Sequence, residues 1–391
     1  MRYKIAIVGA GIGGLASAAL LAGDGHDVTL FERFEQARPV GSGLVIQPVG
    51  LAVLDLIGAG GVVRALSSPI ARMSGHEAAS GRPVLNVSYP QDAPGRGIHR
   101  AALFGVLWDQ VATRGVPVVT SARVASAPQA GGSRRLLLTD GRDFGPFDLV
   151  VDASGAGSAL SPLRARALGY GAIWGTVPWP ITDFPRTELR QRYRAARHMA
   201  GVLPIGRLPG DPQPRAAIFW SMPLAGLDAW GTTPLEAWRD TVTGLWPQMA
   251  PFLTSIRRND QMVTARYSHG TLRRPWSPGL VHIGDAAHRA SPQLGQGANM
   301  ALLDALALAH ALRGPLDDAL ADYAAMRRWH VRVYQGMSAV FTPMYQSESR
   351  SLPVLRDRIL APLSTMPVVR SVLTRIVAGT MIPPLAGVRA P

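Results

Sequence analysis

The sequence predicts an α/β protein, and three observations carry that reading. A β-branched run at residues 5–8 passes through the Gly-rich turn 9–14 into an Ala/Leu-rich helix. A second strand pattern, Asp27-Val28-Thr29-Leu30-Phe31, follows and ends in the acid Glu32. Far along the chain, a third apolar strand at 280–283 leads through Gly284-Asp285 and a Gly/Pro loop into another helix. The chain has 391 residues, 47% apolar and 17% charged, enough for two domains or one large interleaved unit and too apolar for long disorder. With no cysteine there is no disulfide framework, cysteine zinc site, iron–sulfur cluster or thiol nucleophile. The net charge of +14 is almost all arginine, Lys4 being the sole lysine. It is spread thinly: Arg134–Arg135, Arg273–Arg274 and Arg327–Arg328 are doublets, not a basic block. That argues for a solvated arginine-rich surface and against a nucleic-acid partner.

Residues 5–23 carry no charge and follow Arg2 and Lys4, a pattern shared with signal-peptide cores and marginal membrane spans. The internal order of strand, glycine turn, helix, strand and acid instead belongs to a soluble dinucleotide-binding βαβ unit. No other uncharged stretch is long enough to span a bilayer, so no integral membrane segment is expected and the protein is read as cytoplasmic. Within Gly9-Ala10-Gly11-Ile12-Gly13-Gly14, Gly9 permits the tight turn and Gly11 lets main-chain N–H groups approach a pyrophosphate. Gly14 lets the helix sit close to the sheet, and the helix N-terminus offers free donors to phosphates. Glu32, 23 residues beyond Gly9, is spaced to hold ribose hydroxyls. This unit specifies a bound dinucleotide without separating FAD from NAD.

The second pattern adds chemistry. Asp285 stands at a strand's carboxyl edge, where it can accept hydrogen bonds from a polyol. The loop through Pro292, Gly295-Gln296-Gly297-Ala298-Asn299 and the helix to Leu312 aim N–H groups and a helix dipole at the same crevice. The plain alternative is an ordinary strand-to-helix connection with Asp285 as a cap.

Taken together, these segments resemble the class A, p-hydroxybenzoate hydroxylase-like flavin monooxygenases. Gly9 to Gly14 with Glu32-Arg33 matches the family's ADP-binding fingerprint, and Gly284-Asp285-Ala286-Ala287-His288 through Asn299 matches its second FAD motif. Ile98-His99-Arg100 resembles the segment whose arginine contacts FAD, and Gln110 stands about where a second FAD contact is found. Gly41 to Pro48, which includes Gln47, resembles the loop near the flavin. The order fits over roughly residues 1–345. One motif departs: where the family reads Gly-Ala-Asp-Gly, this chain reads Asp152-Ala153-Ser154-Gly155. Ser154 stands in the aspartate's place unless Asp152 takes over its work.

The resemblance implies a Rossmann-like FAD-binding domain of the glutathione-reductase type, assembled from residues 1–70, 99–165 and 276–345. Residues 71–98 and 166–275 form an inserted mixed-sheet substrate domain, and 346–391 a C-terminal helical tail. It implies FAD held by Gly9, Ala10, Gly11, Gly13, Gly14, Glu32, Arg33, Arg100, Asp285, Gly295, Gly297, Ala298 and Asn299, with NAD(P)H as co-substrate. O2 would add at the flavin C4a position, and the hydroperoxide would hydroxylate a small aromatic or conjugated substrate. No side chain is named as catalytic, since the chemistry is the cofactor's; His99 and His288 are read as structural, and no metal site is expected. Trp220, expected to point from a sheet strand toward the flavin, Gln47 and Pro292 are the substrate-side candidates. Arg192, Arg194 and Arg197 around Tyr193 suit either an acidic substrate or a solvated helical face. The alternative function is an FAD-dependent dehydrogenase or oxidase; halogenation is disfavoured because the sole lysine is Lys4, in the first strand. A flavoprotein without turnover, held at a membrane surface by its basic balance and proline-broken apolar tail, is the third class. Oligomeric state stays open.

Overall fold

The computed structural model describes residues 1–36 and 41–387; the last four residues of the expected tail lie outside them. A six-stranded sheet runs in the order Trp276–Ser277, Leu280–His282, Leu149–Asp152, Lys4–Val8, Asp27–Phe31, Val118–Val119. All neighbours are parallel except the first pair. A parallel sheet must be covered on both faces, which is why its strands read as continuous apolar runs. Ile5 and Ile7 face the core formed with the helices Ile12–Gly23 and Gly297–Ala311. Ala6, Val8, Val150 and Leu280 face the opposite way, against Val124, Leu136, Leu138 and Phe147 of a small antiparallel meander.

A second sheet orders Met262–Thr271, Arg166–Pro178, Arg215–Pro223, His198–Pro204, Glu188–Arg194, Arg72–Glu77 and Pro83–Ser88, with the short His288–Arg289 strand at one edge. Between the sheets, Gly43–Ile46, Gly95–His99 and Ser68–Ile70 form a three-stranded connector. The helix Leu316–Tyr345 then packs on Gly297–Ala311 and reaches the second sheet, and the C-terminal helices follow.

Alternation along Arg215–Pro223 decides which side chains see which layer. Ala216, Ile218, Trp220 and Met222 share one core with Trp230, Trp238, Trp246 and Phe252 of the helices that cover the sheet's outer face. Ala217 points the other way, toward Val45, Ile205 and Tyr89, and Phe219 toward Tyr193 and Tyr345. Trp220, 4% exposed and beside the His198 ring, therefore lies on the face turned away from the flavin-motif loops. The expectation that it points to the flavin is corrected: sequence periodicity separates two faces but does not say what covers each. The arginines around Tyr193 are corrected as well. Glu188–Arg194 is a strand, not a helical face. Arg192 lies 5.8 Å from the Trp246 ring, and Arg197 pairs with Glu348.

With Trp220 in this core, Trp220→Ala leaves a large cavity. We expect a loss of about 3–5 kcal/mol in denaturant unfolding, and a change within about 1 kcal/mol would contradict the packing described.

Candidate functional site

The glycine-rich turn is shaped by close approach. Gly9 has φ +103°, and a Cβ there would fall 2.7 Å from the Ala153 carbonyl oxygen. A Cβ at Gly14 would fall 1.9 Å from the Gly9 carbonyl oxygen, so only glycine lets the helix start this close to the turn. Gly13 packs closely on the Gly297–Ala311 helix, where a Cβ would come 3.2 Å from the Ala301 Cβ. Gly11, in contrast, faces open space, and as N-cap it has no side chain to satisfy the first N–H groups of Ile12–Gly23.

That open space is a cavity of about 560 Å³. Gly9, Ala10, Gly11, Glu32, Arg33, Arg100 and Asp285 all line it, so residues separated by more than 200 positions meet there. Glu32 is buried, and its carboxylate accepts hydrogen bonds from the N–H groups of Ala10 (2.8 Å) and Phe34 (3.0 Å). It ties the glycine turn to the second strand while facing the cavity. The Arg33 guanidinium lies 4.7 Å from the Phe34 ring. Arg100 opens into the cavity from otherwise enclosing protein; burial pushes its pKa down and the Asp285 charge pulls it back up.

Ser154, Gly155, Ala156 and Gly157 of the middle motif also line the cavity, but Asp152 does not. Its fully buried carboxylate accepts from the Ser154 N–H and Oγ, from Ser158 Oγ at 2.6 Å, and from His282 Nδ1 at 2.7 Å. Burial raises its pKa, and these hydrogen bonds together outweigh burial and hold it below the ordinary carboxylate range. Asp152 therefore braces two adjacent strands of the parallel sheet and does not stand in for the cavity-facing acid.

The second motif is held from behind. Asp304 is completely buried and accepts from the Gly284 N–H (2.9 Å), His288 Nε2 (2.6 Å) and Arg327 Nε (2.8 Å). Desolvation opposes its charge, but His288 and Arg327 more than offset that and drive its pKa strongly down. Arg327 also donates to the Pro384 carbonyl (2.6 Å), and His330 Nε2 donates to the Gly379 carbonyl (3.0 Å). Asn299 closes the loop: its amide donates to the Val45 and Gly295 carbonyls and its oxygen accepts from the Gln47 N–H (2.8 Å). Gln47 is fully buried, accepts from the Tyr89 hydroxyl at 2.6 Å, and leaves its Nε2 without a partner among the described residues. Gly295, in the left-handed region at φ +61°, lies against that nitrogen, while Gly297 and Ala298 open the helix.

Some sequence candidates sit elsewhere. Pro292 is exposed in a short turn and does not line the cavity. Gln110 accepts from Arg114 at 2.8 Å and lies beside Gly58, away from the cavity. His99 caps its helix by accepting from the Ala101 N–H, and His288 is engaged by Asp304, so both act structurally. Sequence reasoning missed Asp304, Arg327, His330, Tyr89 and the Asp152–His282 pair. The available signal was an acid in the alanine-rich face of the Gly297–Ala311 helix.

Two outcomes test this network. Asp304→Asn leaves Arg327 buried without its counter-charge, and we expect about 3–5 kcal/mol of lost stability by denaturant unfolding. Burial first, then the Arg327 charge, push the His330 pKa down to about 3. Unfolded, a histidine titrates near 6.5, so below that pH the unfolded chain binds the proton that folded His330 refuses, and stability falls as pH drops toward 3. The contribution near pH 5 is roughly 2 kcal/mol, so His330→Gln should show a shallower loss of stability between pH 7 and 5 than the parent. Parallel pH profiles would refute it.

The FAD binding domain family matches residues 2–160 and 233–333. The 3-amino-4-hydroxybenzoate 2-monooxygenase of Streptomyces cremeus is 30% identical over 83% of each chain. A probable 2-heptyl-3-hydroxy-4(1H)-quinolone synthase of Rhodococcus erythropolis is 28% identical over 91% of this chain and 90% of its own. In fold, Klebsiella pneumoniae HpxO complexed with FAD and uric acid superimposes with a TM-score of 0.82 at 20% identity, covering 97% of this chain and 98% of that one. On the matched domain and the 30% relative, the chain belongs to the p-hydroxybenzoate hydroxylase-like family of FAD-dependent monooxygenases.

Proposed function

We propose that this FAD-dependent monooxygenase takes reducing equivalents from NAD(P)H and adds one oxygen atom of O2 to a small, flat aromatic substrate. The balance is one substrate, one O2, one NAD(P)H and one proton going to hydroxylated substrate, NAD(P)⁺ and water. The observation that carries the reading is that the glycine turn of the first motif, Arg100 and Asp285 of the second motif line one cavity. FAD fits these residues: Gly11 leaves room where any side chain would intrude.

Bound here, FAD supplies hydride acceptance and oxygen activation. The protein's own work is positional and electrostatic. The uncapped N–H groups that open Ile12–Gly23 and the Arg100 guanidinium suit the pyrophosphate, Glu32 the ribose, and Asp285 the polyol chain. The N-terminus of Gly297–Ala311, with Gly295 and Gly297, offers main-chain donors and positive dipole to the ring system. Tyr89, Gln47 and Asn299 form a buried hydrogen-bonded group that ties the Gln47 loop to the start of that helix.

The inner face of the second sheet, opposite the Trp220 core, is our candidate for the substrate side. Chain segments 1–70, 99–165 and 276–345 would then make the flavin domain, and 71–98 with 166–275 the substrate domain. One named relative is a monooxygenase of 3-amino-4-hydroxybenzoate and the other a probable synthase of a hydroxyquinolone, both flat electron-rich rings, which supports that substrate class. A cytoplasmic setting follows from the need for NAD(P)H.

Three measurements test this. Gly11→Val should fold normally by circular dichroism yet purify almost without flavin, read as the ratio of visible to ultraviolet absorbance. Asp285→Ala should weaken FAD binding by about 10- to 100-fold through loss of a charged acceptor. For the reaction, a substrate screen by NAD(P)H consumption should return a product heavier by one oxygen. An oxidised product without added oxygen would make the chain a dehydrogenase or oxidase instead.

A further inference from the structure

The segment that follows the long helix carries a concentrated apolar surface. Of the fourteen large hydrophobic residues exposed among the described residues, six lie within residues 354–368: Val354, Leu355, Ile359, Leu363, Met366 and Val368. Leu355, Ile359 and Leu363 are spaced by four residues on the nearly continuous helical stretch 351–363, so they form one stripe. The other side of this stretch is firmly docked. Arg356 is buried between the Tyr193 and Tyr345 rings at 5.1 and 5.0 Å, and donates to the Met344 carbonyl at 2.8 Å. The outer stripe is therefore not a loosely packed core. Scattered exposed apolar residues need no explanation, but a stripe of this density does.

Its charge says what covers it. Arg350, Arg358, Arg370 and Arg375 lie on the same segment, and none forms an ion pair among the described residues. The acid in their midst, Asp357, is taken by Arg356. Apolar residues flanked by unpaired cations are the pattern of a helix lying on an anionic membrane surface. A second copy of the chain fits less well: self-pairing of this face would bring arginines against arginines with no free carboxylate between them. No described helix is long and apolar enough to cross a membrane, so the contact would be peripheral.

We propose that the enzyme docks on anionic bilayers through this segment. Leu355, Ile359 and Leu363 enter the acyl boundary while the arginines meet lipid phosphates. The tail also touches the flavin-motif loop, since Gln296 Nε2 donates to the Val377 carbonyl at 2.8 Å.

The test is co-sedimentation of the flavin-loaded enzyme, without substrate, with vesicles of phosphatidylcholine alone or mixed equally with phosphatidylglycerol. Binding to the mixed vesicles should exceed that to neutral ones by about tenfold or more, and should fall in high salt. Ile359→Asp/Leu363→Asp and, separately, Arg358→Glu/Arg370→Glu should each cut binding about tenfold, with flavin content and circular dichroism unchanged. Absent binding, equal binding to neutral vesicles, or binding unchanged in both variants would overturn the proposal. So would a concentration-dependent dimer abolished by Ile359→Asp/Leu363→Asp. Sedimentation needs no turnover, so failed docking leaves the hydroxylase reading intact, and a failed substrate screen leaves docking intact.

Discussion

The buried carboxylate of Asp304 is the constraint on which the site depends. It is an anion with no exposure, and such a group persists only when its partners offset the lost hydration. The Gly284 N–H, His288 and Arg327 do so from two distant segments: the first two from the second flavin motif and the third from the long helix. Arg327 and His330 then extend the hold to the Pro384 and Gly379 carbonyls. Asp285 is covalently next to the Gly284 N–H that Asp304 grips, so the orientation of a cavity-facing carboxylate is set by a charge network it never touches.

Asp152 works by the same logic one strand away. Its carboxylate joins its own strand to His282 of the next, and it gathers the Ser154 and Ser158 hydroxyls that shape the middle motif. Two buried anions thus anchor the carboxyl ends of adjacent parallel strands, the edge at which ligands bind in open α/β sheets. The serine in the middle motif is therefore an organised departure. Its hydroxyl is spent on Asp152, and the small cavity-lining residues Gly155, Ala156 and Gly157 follow it.

How much of this could be read in advance depends on whether the cause is local. The glycines of the first turn were legible because their requirement is steric and near in sequence, as the approaches of Gly9 and Gly14 illustrate. Asp285 was legible because a strand end followed by Gly-Asp is a local arrangement. Trp220 was assigned to the wrong side because alternation defines two faces, and only the packed helices with Trp230, Trp238 and Trp246 decide which face is which. The arginines around Tyr193 were open to a helical reading because charge spacing alone cannot exclude a strand. Arg327 looked like half of a surface doublet, yet it is buried while its neighbour Arg328 lies exposed beside Trp329. Nothing in the doublet itself tells which arginine will meet an acid 23 positions away.

The tail follows from the same argument about partners. Short apolar segments broken by prolines look dispensable in the sequence, but the structure gives their backbone carbonyls specific donors. Tyr334 donates its hydroxyl to Ile376, His330 donates to Gly379, and Gln296 of the flavin-motif loop donates to Val377. A Cβ at Gly379 would come 2.4 Å from Val49 Cγ2, so this end of the tail lies in contact with the helix that follows the Gln47 loop. The tail's inner side thereby supports both loops that converge on the cofactor region.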